Sequence, residues 1–323
     1  MTSRHQQDLI ERLLALIVGT PSMAKRLLPP ALRAGAAVHE TIDARRADWG
    51  CPAPPDDPAL TPIWVLAAGW GSGSTLVQRL LMSTGKAVIW GEPLDQAVPI
   101  PHLAAPLSVI RPDWPPAEHF RPDLDPKALA QEWVANLLPP LPYLREGQRA
   151  FVESWLRSSV ASVPAAGVQA YGLKEVRLCA GYGAFLKWLF PASRLVFVVR
   201  HPYDCWRSCK GVDWYSVWPD HRVGRRLAFA HHWAYLTRSF LDHAASLDAL
   251  VLPYESLTPE GTGLEKLSHY VGLGALDGDV LERRIGSRGT GASAGRRRQL
   301  GAVERKLIAA VCAREMARLG YAL

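Results

Sequence analysis

The sequence predicts an α/β protein: a mostly parallel sheet with helices on both faces. Three observations carry that prediction. Apolar, β-forming runs stand at 63–68, 87–90, 169–176, 194–199 and 250–252. Segments of helical period separate them, and that alternation implies parallel strands joined by crossover helices. Finally, residues 63–81 read as one strand, glycine turn and helix, with Leu76, Val77, Leu80 and Leu81 at helical spacing.

The elements follow in order. Residues 5–18 form an amphipathic period with Leu9, Leu13, Leu16 and Ile17 on one side, ended by Gly19 and Pro21. Such a helix packs on the main domain or on a second copy of the chain, which leaves a homodimer open. Residues 24–48 read as helical after Pro29-Pro30, and 50–62 as a Pro/Asp-rich linker. The run 63–67 is apolar at every position, as suits a strand covered on both faces. Its turn, Gly69-Trp70-Gly71-Ser72-Gly73, lets backbone approach a ligand closely. The helix behind it offers unpaired N–H groups and a positive dipole end. Together they suit an anion, most often a phosphate. Ser72, Ser74 and Thr75 add hydroxyl donors. Gly/Ser turns of this kind also occur without a ligand.

The strand at 87–90 leads into Gly91-Glu92-Pro93. Residues 97–123, rich in proline and carrying His102, Trp114 and His119, read as a long irregular loop over the site. Helices are expected at about 126–137 and 145–161, with Trp133, Leu137, Phe151 and Trp155 apolar. A short strand at 169–177 ends in Lys174-Glu175-Val176-Arg177, and a helix at 181–189 follows. The strand 194–199 runs into Arg200-His201-Pro202-Tyr203-Asp204, where Pro202 and Asp204 suit a helix start. A long helix at 222–246, a strand at 250–255 and a helix at 300–318 complete the chain. In open parallel sheets ligands lie at the carboxyl ends of strands. Gly71, Glu92, Lys174 and Arg200 all fall just after strand-like runs, so the topology places them on one edge.

Composition narrows the function. The 323 residues bury a sizeable core, and the formal charge of +7 favours an anionic ligand. No nucleic-acid motif is present, so nucleic acid is not expected as the partner. The five cysteines, Cys51, Cys179, Cys205, Cys209 and Cys312, are odd in number and scattered, as in a reducing, cytoplasmic setting. No apolar run reaches membrane-spanning length, and Asp8 and Glu11 stand where a signal peptide is basic. The loop has no Gly-Lys-Ser or Gly-Lys-Thr, so it is not the P-loop of nucleotide hydrolases. Leu76 stands where Gly-x-Gly-x-x-Gly has its third glycine.

Four blocks give the chain a family likeness. They are Gly71-Ser72-Gly73-Ser74-Thr75-Leu76, Trp90-Gly91-Glu92, Lys174-Glu175-Val176 continuing through Phe190 to Ser208, and Leu252-Pro253-Tyr254-Glu255-Ser256-Leu257, with a weaker pattern ending at Tyr321. The chain resembles sulfotransferases that use 3′-phosphoadenosine 5′-phosphosulfate (PAPS), nearest to bacterial enzymes similar to tyrosylprotein sulfotransferases. The resemblance implies the sulfotransferase fold, P-loop-like, over 63–323, with an N-terminal helical extension and linker at 1–62 and an acceptor-binding or lid insertion at 97–165. It implies that Gly71, Ser72, Gly73, Ser74 and Thr75 hold the 5′-phosphosulfate, and that Arg200 and Ser208 hold the 3′-phosphate, with Arg288 in the basic tail as a further contact. Glu92 is then the base for the acceptor hydroxyl, and Lys174 faces the leaving phosphate.

The chain departs from the pattern at Gly71, where the family usually has Lys or Arg. Lys174, Arg177 or Arg288 would then supply that charge. The implied reaction moves SO3 from PAPS to a hydroxyl acceptor, a small molecule or a glycan, and releases 3′,5′-bisphosphoadenosine (PAP) without a metal. Two alternatives stand beside it: a nucleotide kinase of related fold, and a nucleotide-binding relative without turnover. Duller roles are also open. Glu92 caps a turn, Lys174 pairs with Glu175 or a distant carboxylate, and Trp70, Trp90, Trp206, Trp214 and Trp218 serve the core, an acceptor pocket or adenine stacking.

Overall fold

The computed structural model describes residues 30–44, 60–92, 97–111, 113–121, 124–161, 167–210, 217–218, 221–222, 225–282 and 299–323. The expected helix at 5–18, most of the linker, Trp214 and Arg288 lie outside the described residues.

In chain order the first elements are α1 Pro30–Ala44, β1 Thr61–Ala67, α2 Ser74–Ser83, β2 Ala87–Trp90 and α3 Pro99–Ala104. Then come a single turn α4 Pro126–Leu129, α5 Leu141–Val152, α6 Ser158–Ala161, β3 Ala170–Glu175, α7 Ala180–Leu189, β4 Arg194–Val199 and α8 Pro202–Cys209. The chain ends with β5 Val217–Trp218, β6 His221–Arg222, α9 Arg226–His243, β7 Ala249–Pro253, α10 Gly263–Val271, α11 Asp279–Glu282 and α12 Ala302–Arg318.

Five strands form one sheet in the order β2-β3-β1-β4-β7, and every neighbouring pair is parallel. The apolar run of β1 takes the centre. Ile63, Trp64, Val65, Leu66 and Ala67 are all buried, as are Leu195 to Val199 on β4. The crossover β1–α2–β2 runs toward one edge and β3–α7–β4 toward the other. Right-handed crossovers therefore put α2 and α7 on opposite faces. On the α9 side, Phe197 stacks on Phe240 at 4.3 Å.

Helix α1 is built into this core through Leu32, Val38 and Ile42. It crosses α7 at glycines on both helices: a Cβ on Gly181 would stand 1.8 Å from the Gly35 carbonyl oxygen. Two buried arginines of α5 finish α7. Arg145 Nη2 donates to Trp188 O at 2.7 Å and Arg149 Nη1 to Leu189 O at 2.8 Å, placing cations at the negative end of the helix.

Segment 97–161 departs from its expected form. The stretch read as irregular loop holds α3 and a 3-10 turn at Ala105–Ser108, and it buries Val98, Ile100, Ala104 and Leu107. Its prolines start short helices, where a missing N–H costs nothing. Conversely, the helix expected at 126–137 is one turn, capped by Asp125, whose side chain accepts from Lys127 N. Trp133 is 86% exposed, so its apolar spacing found no helix partner to pack on. The next helix begins earlier than expected, at Leu141, and passes through a π-turn at Glu153–Arg157 before α6. The β5–β6 pair was not visible in the sequence.

Candidate active site

Strand register builds the site. Trp90, Leu173, Trp64, Leu195 and Ala249 align across the sheet. A few residues beyond that row lie Glu92, Lys174, Arg177, Gly71, Arg200 and Tyr254, all at the carboxyl edge. Strand order reverses around β1, which is the topological switch point where parallel sheets take ligands.

The glycine turn leaves β1 through Gly69, Gly71 and Gly73, with φ of +83°, +74° and +89°. A left-handed residue at alternate positions curls backbone N–H groups into an anion-binding concavity. Gly73 caps α2 and has no side chain to satisfy its first N–H groups. Ser72 is fully buried, and its hydroxyl donates to Gly69 O at 2.8 Å, so it braces the turn. Ser74 is buried at the helix start, while Thr75 is exposed.

Gly71 lies flat against α8. A Cβ there would meet Cys205 O and Ser208 Cβ, both at 2.9 Å, and Cys209 Sγ at 3.1 Å. This contact brings Ser208, itself exposed, beside the loop. Arg200 closes the same corner. Its Nη1 donates to Gly71 O at 2.9 Å, and its guanidinium lies 4.2 Å from the centre of the Tyr254 ring. Tyr254 in turn fills the space over Gly73, where a Cβ would meet Cδ2 of Tyr254 at 2.1 Å. The structure thus brings Gly71, Gly73, Arg200 and Ser208 together. Arg288 is not among the described residues. Cys205 and Cys209 back the loop as buried thiols, not nucleophiles; burial pushes Cys209 up to about 12.

The other half of the site is a charge cluster. Lys174 Nζ donates to Glu92 Oε1 at 2.6 Å, and Arg177 Nη1 donates to Glu92 Oε2 at 2.9 Å. Arg177 Nη1 also reaches Glu175 Oε1 at 3.1 Å. Side-chain exposure is 25% for Glu92 but only 6%, 1% and 3% for Lys174, Arg177 and Glu175. The base candidate therefore faces outward while its partners are buried behind it. Burial pushes the Glu92 carboxyl up, but Lys174 and Arg177 outweigh that and hold it below the usual carboxylate range. Glu175 has no such excess of cations. Burial raises it to about 7 despite the pull of Arg177 and a hydrogen bond from Val176 N.

Of the alternatives for Lys174, the distant carboxylate is the partner found, and it is Glu92. Trp70 and Trp206 are core residues. Trp70 is 3% exposed with the Arg177 guanidinium 5.2 Å from its ring centre, and Trp206 donates from Nε1 to Glu304 Oε1 at 3.3 Å. Trp90 donates from Nε1 to Leu156 O at 3.2 Å, tying β2 to the π-turn. Glu255 braces the edge: it accepts from His201 N at 2.8 Å and from Tyr321 Oη at 2.7 Å. Tyr254 and Glu175 were not singled out from the sequence as site residues. Glu175 carried a signal, because a strand ending Lys-Glu-Val-Arg buries charges that must find partners.

Residues 62–273 match the sulfotransferase family, and the chain belongs to that family. Among solved structures it is similar to the sulfotransferase domain of the Synechococcus PCC 7002 olefin synthase. That likeness has 16% identity and a TM-score of 0.45, over 84% of this chain and 99% of that one. No curated protein matches the chain by sequence. Among the described residues, no helix is long and apolar enough to cross a membrane.

Proposed function

We propose that this protein transfers a sulfuryl group from PAPS to a hydroxyl acceptor and releases PAP. The observation that carries this reading is the meeting of two half-sites on one sheet edge. One is a glycine turn braced by Arg200 and Ser208; the other is an outward-facing carboxylate backed by Lys174 and Arg177. Family membership supports the reaction class. The donor supplies an electrophilic sulfur on a phosphate leaving group.

The residues present fit that donor. The loop N–H groups and the start of α2 suit its 5′-phosphate, and the Arg200 fork suits its 3′-phosphate. Glu92 takes the proton of the acceptor hydroxyl as the new oxygen–sulfur bond forms. That role follows the tyrosylprotein branch, whose base stands in the Trp-Gly-Glu block. Being ionised at neutral pH, Glu92 is ready to accept. Lys174 faces the oxygen on which charge grows as the sulfur–oxygen bond to phosphate breaks, and its electron pair stays with PAP. As Glu92 gains a proton its hold on Lys174 weakens, which releases the ammonium toward that charge. Segment 97–165 then presents the acceptor, a small molecule or glycan, beside Glu92. The direct test is a mass-spectrometric search for sulfated products after the protein and PAPS are added to a small-molecule extract. Sulfation that depends on both supports the reading; its absence across phenol, sugar and lipid fractions counts against it.

A further inference from the structure

We propose that Arg177 is the cation serving the sulfuryl end of the site, in the role that a basic loop side chain would otherwise fill. This rests on the sulfotransferase reading and adds a residue to it.

The need is electrostatic. Residues 68–75 contain no Lys or Arg, so the turn meets an anionic donor with backbone dipoles and hydroxyls but no cation of its own. Nor can the turn carry such a residue at Gly71 or Gly73. A side chain at Gly71 runs into the Cys205 carbonyl and Ser208, and one at Gly73 runs into the Tyr254 ring. The charge has to come from outside the loop.

Among the described residues, Arg200, Lys174 and Arg177 stand at this edge, and each has a different place. Arg200 hooks the far side of the turn through Gly71 O, against Tyr254. Lys174 reaches Glu92 Oε1. Arg177 alone connects the two half-sites: its guanidinium lies over Trp70, a residue of the turn itself, and its Nη1 holds Glu92 Oε2. A group transferred from the loop to an oxygen activated by Glu92 has to pass between those two anchors.

Arg177 is also held there unusually firmly. It is 1% exposed, and the fully buried Glu175 beside it fixes the same nitrogen. Glu175 is itself fixed by the N–H groups of Val176 and Arg177, at 2.7 and 3.2 Å. Burying a guanidinium is costly unless it is paired, and two carboxylates pair this one. Glu175 thereby acts as a positioning residue.

The test compares PAPS with PAP, which differ only by the sulfuryl group. Arg177→Met alone would leave Glu175 unpaired, so it is made together with Glu175→Gln. Calorimetric titration of both ligands is the measurement. The expected result is PAPS affinity reduced tenfold or more, as for loss of a charged hydrogen bond, with PAP affinity changed less than threefold. Arg177→Lys with Glu175 intact should recover part of the PAPS affinity, because charge returns without the fork. Equal losses for both ligands, or a fall in melting temperature with PAP affinity lost, would overturn the proposal and make Arg177 structural. Unchanged PAPS affinity in the double variant would overturn it too. Failure of the wild-type protein to bind either ligand would instead refute the sulfotransferase reading beneath it.

Discussion

Gly71 packs against the backbone of α8 as well as its side chains, and its replacement is the most informative single change. Gly71→Ala adds one methyl at φ +74°, facing Cys205 O and Ser208 Cβ at 2.9 Å and Cys209 Sγ at 3.1 Å. The left-handed backbone costs an L-residue about 1–2 kcal/mol. Overpacking costs about 1–3 kcal/mol more, since a carbonyl and a helix Cβ yield little. Together these give roughly 2–5 kcal/mol, or a melting temperature lowered by roughly 5–15 °C for a domain of this size. The loop can relieve the clash only by lifting off α8. That breaks the bond from Arg200 to Gly71 O and separates Ser208 from the turn, so PAP affinity should fall with stability. Gly147→Ala is the control. It lies in α5 with open space around its Cβ position, and Ala there should raise stability by about 1 kcal/mol. Thermal unfolding by circular dichroism and a PAP titration on the same samples read both effects. A Gly71→Ala protein with unchanged melting temperature and full affinity would refute the packing argument, and so would a stable Gly71→Arg protein.

Other expectations follow from the same geometry. Arg200→Ala should weaken PAP binding more than tenfold, through loss of charged hydrogen bonds worth about 1.5–3 kcal/mol, and spare adenosine 5′-phosphosulfate, which has no 3′-phosphate. Equal losses would mark Arg200 as a structural brace. Glu92→Gln should lower single-turnover transfer by about 10²–10⁴-fold while PAP affinity stays within a few-fold. A near-normal rate would remove Glu92 as base. Glu175 predicts a pH effect on stability. Its folded value, about 7, lies above the ordinary carboxylate value of 4.5, so the folded protein binds the proton more tightly. Its stabilising contribution is present below pH 4.5 and lost as pH rises through about 7. Urea midpoints across that window should fall less steeply for Glu175→Gln, and an unchanged slope would contradict the assignment.

The parts of this structure written in local pattern were legible in the sequence. The central strand reads as five consecutive apolar residues, and the turn as three alternate glycines. Arg200 announces itself by following a buried strand and preceding Pro202 at a helix start. Parallel register then gathers strand ends whatever the loops do. What stayed hidden depends on long-range pairing. Glu92 and Lys174 are far apart in sequence, and no local signal says that Lys174 chooses Glu92 over its neighbour Glu175. Tyr254 follows β7 and meets Gly73 only because β7 is placed beyond β4. Segment 97–140 misled for a related reason. Proline density suggested irregularity, yet those prolines start short helices over the core. The apolar spacing around Trp133 suggested a helix, but no packing surface is there to stabilise one.

The central claim, a phosphosulfate-donor site that needs no metal, has one direct measurement. PAP and ATP are titrated calorimetrically against the wild-type protein, each with and without Mg²⁺. The glycine turn without a Gly-Lys-Ser lysine, and Arg200 and Ser208 both placed against Gly71, predict that PAP binds equally well in both conditions and that ATP binds far more weakly. Tight ATP binding that requires Mg²⁺, with PAP bound no better, would contradict it.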